Sequence, residues 1–307
     1  MPKVAVIICT RNRARHLAEA LQTFENCIAP ADWQADLIVV DNGSTDETKA
    51  VATAKPARGT WPLTYVYEPK PGLSHARNAG LRAADADILA FTDDDCRAAS
   101  DWIVQLVRTF ESCPELDAVF GRVEAVEGAD IRRTVAVKQE ENARDYRHPV
   151  MPTGIGHGNN MAFRRTALEK VGAFDAALGA GGALGAAEDT DMAYRVLRLG
   201  RLVRYEPSCV IRHEPREDEA QVRRTHWRNA VGMGAFFSKH FLRGDFFALK
   251  CWMWMMLGLP SAALKERRAG HREDLAAKRL YFFGLPYGAF ARLWFDLTHG
   301  FPKEERL

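Results

Sequence analysis

The sequence predicts an α/β fold: a mostly parallel central sheet flanked by helices, with a helical C-terminal extension. Three observations carry this. Over the first 125 residues, short apolar runs rich in β-branched residues alternate with segments of helical periodicity. Three of these runs end in polar clusters: Thr10-Arg11-Asn12-Arg13, Asp41-Asn42-Gly43-Ser44 and Asp93-Asp94-Asp95. From Glu219 to Leu297 the pattern turns mostly helical and aromatic.

The elements follow in order. Val4–Thr10 is a continuous apolar run, as expected for a strand covered on both faces. Leu17, Leu21 and Phe24 then recur at helical spacing. Leu37–Asp41 predicts the second strand, Thr45–Ala54 a short helix and Leu63–Glu68 a third strand. Ser74 is placed as the cap of a helix running through Ala84, and Ile88–Thr92 as the fourth strand. Ser100 is placed as the cap of a helix carrying Ile103, Leu106, Val107 and Phe110, and Ala118–Val123 as the fifth strand. Thr153–Asn160 and Gly179–Gly185 are glycine-rich loops. Thr190–Leu199 predicts a helix with Met192, Val196 and Leu199 on one side. Cys209–Arg212 is strand-like and ends at His213.

Composition narrows the class. A chain of 307 residues, 47% hydrophobic, suits one large α/β domain with an appendage or two modest domains. A formal net charge of +2 gives no support for nucleic-acid binding. Six dispersed cysteines without a CxxC pair suggest reduced thiols in an intracellular setting. The chain opens on a strand rather than a basic and then apolar leader, so no secretory signal is expected. The longest apolar stretch, Phe246–Leu264, is broken by Lys250 and Pro260. The bland reading is a buried helix. The alternative is a helix on a membrane surface, favoured by Trp252 and Trp254 within it and by Lys239, Arg243, Lys265, Arg267 and Arg268 around it.

The strand ends carry the chemistry, because ligands of such sheets bind beyond the carboxyl ends of the strands. Three adjacent aspartates repel one another unless a cation or donors neutralise them. A divalent cation with phosphate co-ligands is the natural partner. Alternation would turn Asp93 and Asp95 to one side and Asp94 away. Asp95 is the expected direct metal ligand, with Asp93 facing a ribose or the same metal through water. Glu188-Asp189-Thr190-Asp191 opens a helix, where acids are favoured by the dipole alone. The functional reading makes Asp189 the general base for a hydroxyl nucleophile. His213 is either a structural histidine or a third protein ligand for the metal. Arg11, Arg13, Lys70 and Arg77 could meet phosphate, and Asp41 could accept the imide N–H of a uracil-like base. Phosphate-loop, dinucleotide-fingerprint and nucleophile-elbow patterns are all missing from the sequence.

In order, Val4 to Arg13, Ile38 to Asp46, Gly72-Leu73-Ser74-His75-Ala76-Arg77-Asn78-Ala79-Gly80 and Phe91-Thr92-Asp93-Asp94-Asp95 resemble the family 2 glycosyltransferases of the GT-A fold. Glu188-Asp189 looks like that family's catalytic acidic pair, and Gly158–Arg164 like the segment before its acceptor region. The resemblance covers roughly residues 3–214, a catalytic domain at 1–214 followed by a helical region at 215–307. It implies inverting transfer from a nucleotide-diphosphate sugar with Mg²⁺ or Mn²⁺. UDP is the commonest nucleotide in the family, with dTDP and GDP next. Asp41 would then read the base, and Asp93 the ribose or sugar. Asp95 would bind metal, with His213 where such enzymes often supply a histidine. Asp189, with Glu188, would serve the acceptor. Thr10, Arg11, Arg13, Ser44, Lys70, Gly72, Arg77 and Asp94 complete the nucleotide-sugar set. Gly179–Ala187 departs from the family by being bland, so acceptor contacts are not legible there. No QxxRW-like motif accompanies the others, which favours single addition over processive synthesis.

Two rivals stand beside this reading. A sugar-1-phosphate nucleotidyltransferase would need a glycine-rich loop after the first strand, where Thr10–Arg13 has none. A scaffold that kept a nucleotide pocket would tend to lose the acids that this chain retains. The expected acceptor is a sugar or a lipid-linked sugar in cell-surface polysaccharide or glycolipid synthesis. The expected location is the cytoplasm or the inner face of the cell membrane, with peripheral contact, and the helical region could also serve a homo-oligomer.

Overall fold

The computed structural model describes residues 1–54, 61–129, 136–214 and 218–300. The boundary expected at 214/215 adjoins residues 215–217, which lie outside the described residues, as do 301–307.

Strands β1 (Lys3–Thr10), β2 (Gln34–Asp41), β3 (Leu63–Tyr67) and β4 (Ile88–Asp93) form a parallel block in the order β3-β2-β1-β4. Their interiors are continuous apolar runs because helices cover both faces. Register places Thr10 beside Asp41 and Cys9 beside Asp93, so three polar strand ends share one rim. Past β4 the sheet continues through β8 (Met161–Arg164), β6 (Leu116–Ala125), β9 (Leu202–His213) and β5 (Cys96–Ala98), with β7 (Arg144–Tyr146) on β9. β8 runs antiparallel to both its neighbours, whereas β6 and β9 are parallel.

Helices α1 (Ala14–Glu25), α2 (Thr48–Thr53) and α4 (Trp102–Ser112) close one face of the sheet around Val6, Ile8, Phe24, Trp102 and Phe110. Helices α3 (Leu73–Ala83), α5 (Arg165–Val171) and α6 (Glu188–Arg198) close the other around Ile7, Phe91, Phe163, Met192 and Val196. Three long helices follow: α7 (Glu219–Leu242), α8 (Phe246–Ala269) and α9 (Arg272–His299). They dock on the rest through apolar clusters that join Tyr194 of α6 to Phe236 and Leu285, and Leu178 to Ala235 and Phe295.

Buried ion pairs reinforce this joint. Lys239 Nζ lies 2.8 Å from Asp191 Oδ2 and 3.0 Å from Asp175 Oδ2. His240 Nε2 is 2.9 Å from the other Asp191 oxygen, and Arg195 Nε 2.9 Å from Asp191 Oδ2. Arg292 of α9 reaches Asp175 at 2.8 Å and Asp296 at 2.9 Å.

Several local expectations are corrected. The α2 helix starts at Thr48, not Thr45, because Asp46 accepts the Thr48 N–H at 3.0 Å and sets the turn there. Ser74 is not a cap: Gly72, at φ 130°, precedes the helix, and Ser74 Oγ donates to the Leu178 carbonyl at 2.7 Å. Ser100 also lies outside its helix, where Asp101 holds the cap position. Leu199 follows the last turn of α6 and is 51% exposed, so it does not join the inward side. The buried-helix reading of Phe246–Leu264 fails. α8 is the one described helix long and apolar enough to cross a membrane, and only 17% of that window is buried.

Candidate active site

A cavity of about 960 Å³ opens at the rim where β1, β2 and β4 end. Thr10, Arg11, Arg13, Asn42, Gly72 and Asp93-Asp94-Asp95 line one side of it. Each is fixed by the loop it sits in. Asn42 donates from Nδ2 to the carbonyls of Glu68 and Lys70 and accepts the Gly72 N–H at 2.8 Å, tying the loop after β2 to the loop after β3. Asn12, in the left-handed region at φ 53°, donates its N–H to Ser44 Oγ at 2.9 Å and accepts from the Thr45 N–H at 2.7 Å.

The acids divide differently from the alternation expected. The strand ends at Asp93, so the period of two does not extend into the turn at Asp94 and Asp95. Arg13 Nη1 bridges Asp94 Oδ1 at 2.7 Å and Asp95 Oδ2 at 3.0 Å, while Thr10 Oγ1 donates to Asp94 Oδ2 at 2.7 Å. Burial pushes the Asp94 carboxyl up to about 7, with Arg13 opposing and Asp95 adding to the rise. Asp93 instead faces Arg77 Nη2 at 3.4 Å.

Arg77, expected to meet phosphate, is buried as a cross-brace and is not part of the cavity lining. Its Nη1 donates to Glu188 Oε1 at 2.6 Å and its Nη2 to the Gly158 carbonyl at 3.0 Å. The Gly158 N–H in turn donates to Asp189 Oδ2 at 2.6 Å. A Cβ on Gly158 would stand 2.9 Å from both Arg77 Nη2 and Asp189 Cβ, so only glycine fits between them. Asp93 and Asp189 thus share one brace. Ala187, left-handed at φ 75°, turns the chain into α6 so that Glu188 goes inward and Asp189 stays half-exposed. Burial lifts the Glu188 carboxyl to about 7 against the pull of Arg77.

At the far side of the acids, antiparallel pairing sets Cys96 opposite His213. His213 Nε2 lies 3.3 Å from Asp95 Oδ1, and both side chains are buried. With Cys96 they form a compact set of ligand atoms, all within 4.8 Å of one another.

Other expected residues sit outside the cavity lining. Asp41 is 1% exposed, its oxygens accepting the Ser44 N–H at 2.8 Å and the Tyr65 hydroxyl at 2.9 Å. Burial, and then Asp41, push the Tyr65 phenol up to about 12. Ser44 pins the β1 and β2 loops together, and Lys70 is an exposed side chain whose carbonyl anchors Asn42.

Sequence reasoning missed the opposite wall. Gln221, Arg223, Arg224, Thr225, Trp227 and Arg228 of α7 line the same cavity, with Ala180 and Gly181 of the glycine-rich loop beside them. Gln221, Arg224, Thr225 and Arg228 fall at i, i+3, i+4 and i+7, a helical face that the sequence alone displays.

A mostly parallel sheet whose acidic strand-end loop and facing helix enclose one cleft is the GT-A architecture. The chain belongs to glycosyl transferase family 2, whose sequence profile matches residues 5–172. A similar curated protein is the succinoglycan biosynthesis protein ExoM of Rhizobium meliloti, 28% identical over 215 residues, which covers 68% of this chain and 65% of that one. The glucosyl-dolichyl phosphate glucuronosyltransferase of Haloferax volcanii is 28% identical over 184 residues, 56% of each chain. The chain thus spans between about half and two thirds of the length of these relatives. Among solved structures, a mannosyltransferase from Pyrobaculum calidifontis in complex with GDP-Man and Mn²⁺ superposes with a TM-score of 0.62 at 23% identity, covering 96% of this chain and 87% of that one. Residues 1–349 of TarS from S. aureus, in complex with UDP-GlcNAc, give 0.55 at 16% identity, covering 96% and 92%. At these identities the likeness is one of fold.

Proposed function

We propose that the chain transfers a sugar from a nucleotide-diphosphate sugar, UDP foremost, to a hydroxyl acceptor in cell-surface polysaccharide or glycolipid synthesis. The observation that carries this reading is the single cavity bordered by Asp93-Asp94-Asp95 on one wall and by the α7 arginines on the other. Residues 1–214 form the catalytic part and 215–307 the helical part, acting on the cytoplasmic side.

Asp189 takes the acceptor proton. The acceptor oxygen bonds to the anomeric carbon as the bond to the diphosphate breaks, and the configuration inverts in that one displacement. Gly158 and Thr190 hold the Asp189 carboxylate by backbone N–H donors, which orients it without neutralising it. Asp95 and His213 fit a divalent cation such as Mn²⁺ or Mg²⁺, offering a hard oxygen and an imidazole nitrogen. A hard divalent cation prefers the Asp95 oxygen and the His213 nitrogen to the soft sulfur of Cys96 beside them. Such a cation supplies positive charge against the departing diphosphate. The mannosyltransferase structure, holding both GDP-Man and Mn²⁺, supports a nucleotide-sugar donor and a metal for this chain.

The protein's own phosphate-binding charge falls to Arg11 of the first rim loop and to Arg224 of α7. Arg13 is engaged by Asp94 and Asp95, and Arg77 by Glu188. Arg11, Arg223, Arg224 and Arg228 are the other cations that line the cavity. Arg224→Ala is expected to weaken donor binding about 10- to 100-fold, the value of one hydrogen bond to a charged group. Calorimetric titration of UDP in the presence of Mn²⁺ checks this.

The reading as a whole is tested by thermal shift with UDP-, dTDP- and GDP-sugars, with and without Mn²⁺. One donor at 100 times its Kd is expected to add about 2.7 kcal/mol of stability, only with metal, and Asp95→Ala is expected to abolish the gain. If no donor stabilises the wild-type protein under any metal condition, the pocket is not a donor site, and the scaffold reading replaces this one.

A further inference from the structure

The helical region leaves a large apolar face bare. From Phe282 onward the exposed side of α9 is apolar at every turn: Phe282, Phe283, Tyr287, Phe290, Trp294 and Leu297 are each at least 40% exposed. Their spacing of three and four residues makes one stripe, about 24 Å long at 1.5 Å per residue. α8 packs beside α9 and adds Phe246, Met253, Trp254 and Leu257, all exposed. So many large apolar side chains exposed on two neighbouring helices mark an interaction surface.

Its charges identify the partner. No acid occurs from Phe246 to Lys265. From Leu275 to Leu297 the single acid, Asp296, is buried on Arg292. Exposed cations border the apolar face: Lys250, Lys265, Arg267, Arg268 and Arg279. Two exposed acids, Glu273 and Asp274, lie at the start of α9, where the helix dipole favours them. Aromatic residues with a basic border fit the boundary between headgroups and acyl chains of an anionic bilayer.

The topology also decides between lying on the membrane and crossing it. Asp245, at the start of α8, is held by the Tyr194 hydroxyl of α6 at 2.8 Å. The other end leads through Gly270 into α9, whose first half already packs on α7, with Tyr281 against His226 of the helix that lines the cavity. Both ends of α8 are therefore tied to one folded body, which a crossing helix would not permit.

We infer that the α8–α9 face docks the protein onto an anionic lipid surface. The docked face adjoins the active site, since Tyr287 of the stripe lies 5.7 Å, ring to ring, from Trp227 in the cavity wall. Docking would set the α7 wall at the headgroup level, within reach of a lipid-linked acceptor. That last step rests on the transferase reading; the docking does not.

The test is co-sedimentation of the full chain with vesicles of phosphatidylcholine alone and with phosphatidylglycerol added. Binding is expected only with the anionic lipid, to weaken as salt rises, and to fall about tenfold or more in Phe283→Ser/Trp294→Ser. Both side chains are exposed, so the variant is expected to melt and to bind donor like the wild type. A failure of docking therefore stays separate from a failure of donor binding. The inference is overturned if the monomeric protein ignores anionic vesicles. It is equally overturned if the same variant dissociates a dimer that binds no lipid, which would make the face a contact between copies. Tryptophan quenching by lipids labelled near the headgroup supports docking, and quenching from the bilayer centre overturns it in favour of a span.

Discussion

Asp189→Asn is expected to lower the transfer rate by about 10²- to 10⁴-fold while leaving donor affinity within about twofold, the range for loss of a positioned general base. The asparagine keeps a carbonyl-type oxygen to accept the Gly158 N–H, which Asp189 now does at 2.6 Å, so the loop geometry has reason to survive. What disappears is the capacity to take a proton. The cavity lining expected to meet the donor lies elsewhere, along Thr10 to Arg13 and α7. The effect should therefore fall on kcat and not on nucleotide affinity. Steady-state transfer with donor and acceptor each varied reads the difference. A kcat within about tenfold of wild type would remove Asp189 from the role of base. Glu188 makes a useful contrast, because its carboxyl group is buried against Arg77 whereas Asp189 is half-exposed.

Lys239→Met is expected to cost about 3–5 kcal/mol of stability, the price of leaving buried charge uncompensated. Lys239 is 3% exposed and stands between Asp175 and Asp191, so its removal leaves two buried carboxylates with fewer cations. At about 2–4 °C per kcal/mol for a chain approaching this size, Tm should drop by roughly 10 °C. The pH dependence has a definite sign. Burial works to raise the Asp175 carboxyl, but Lys239 and Arg292 outweigh it and hold it at about 2. Asp191 lies well below the usual carboxylate range, with Lys239 and Arg195 overcoming a similar burial effect. Groups depressed in the folded state stabilise it above their ordinary value near 4 and lose that contribution as pH falls toward 2. Wild-type stability should thus fall steeply from about pH 4 to pH 2, and the variant, already weakened, should fall less steeply. Urea melts at a series of pH values measure both slopes. Parallel slopes would mean that Lys239 does not set these two carboxyl groups.

The central strands were legible because β1, β2 and β4 are covered on both faces and read as unbroken apolar runs. β8 and β5 were not, being four and three residues long and held by partners far away in the chain. The site was legible as a set of residue types. Its pairings were not, since Arg77 meets Glu188 across 111 positions and Arg13 meets Asp94 across 81. Positive side chains near a rim suggested phosphate, whereas the fold engages two of them with carboxylates. The arginines of α7 were visible in sequence, but nothing local aims a helix at a cleft. In α8, the apolar run Phe246–Leu264 was legible without saying whether protein or a membrane surface would cover it.

The ion pairs between α6 and the last helices set a condition on exchanging parts among relatives. Asp189 lies in the first turn of α6 and Asp191 sits one half-turn further on, clamped to Lys239 and His240 of α7. The same α7 carries Arg224 and Trp227 into the cavity. The registration of the two walls is therefore written in a handful of buried charges remote from the cleft. A chimera that replaces everything after residue 214 must bring counterparts of Lys239, His240 and Arg292 with it. Without them, a graft chosen for new acceptor contacts would present those contacts at the wrong height.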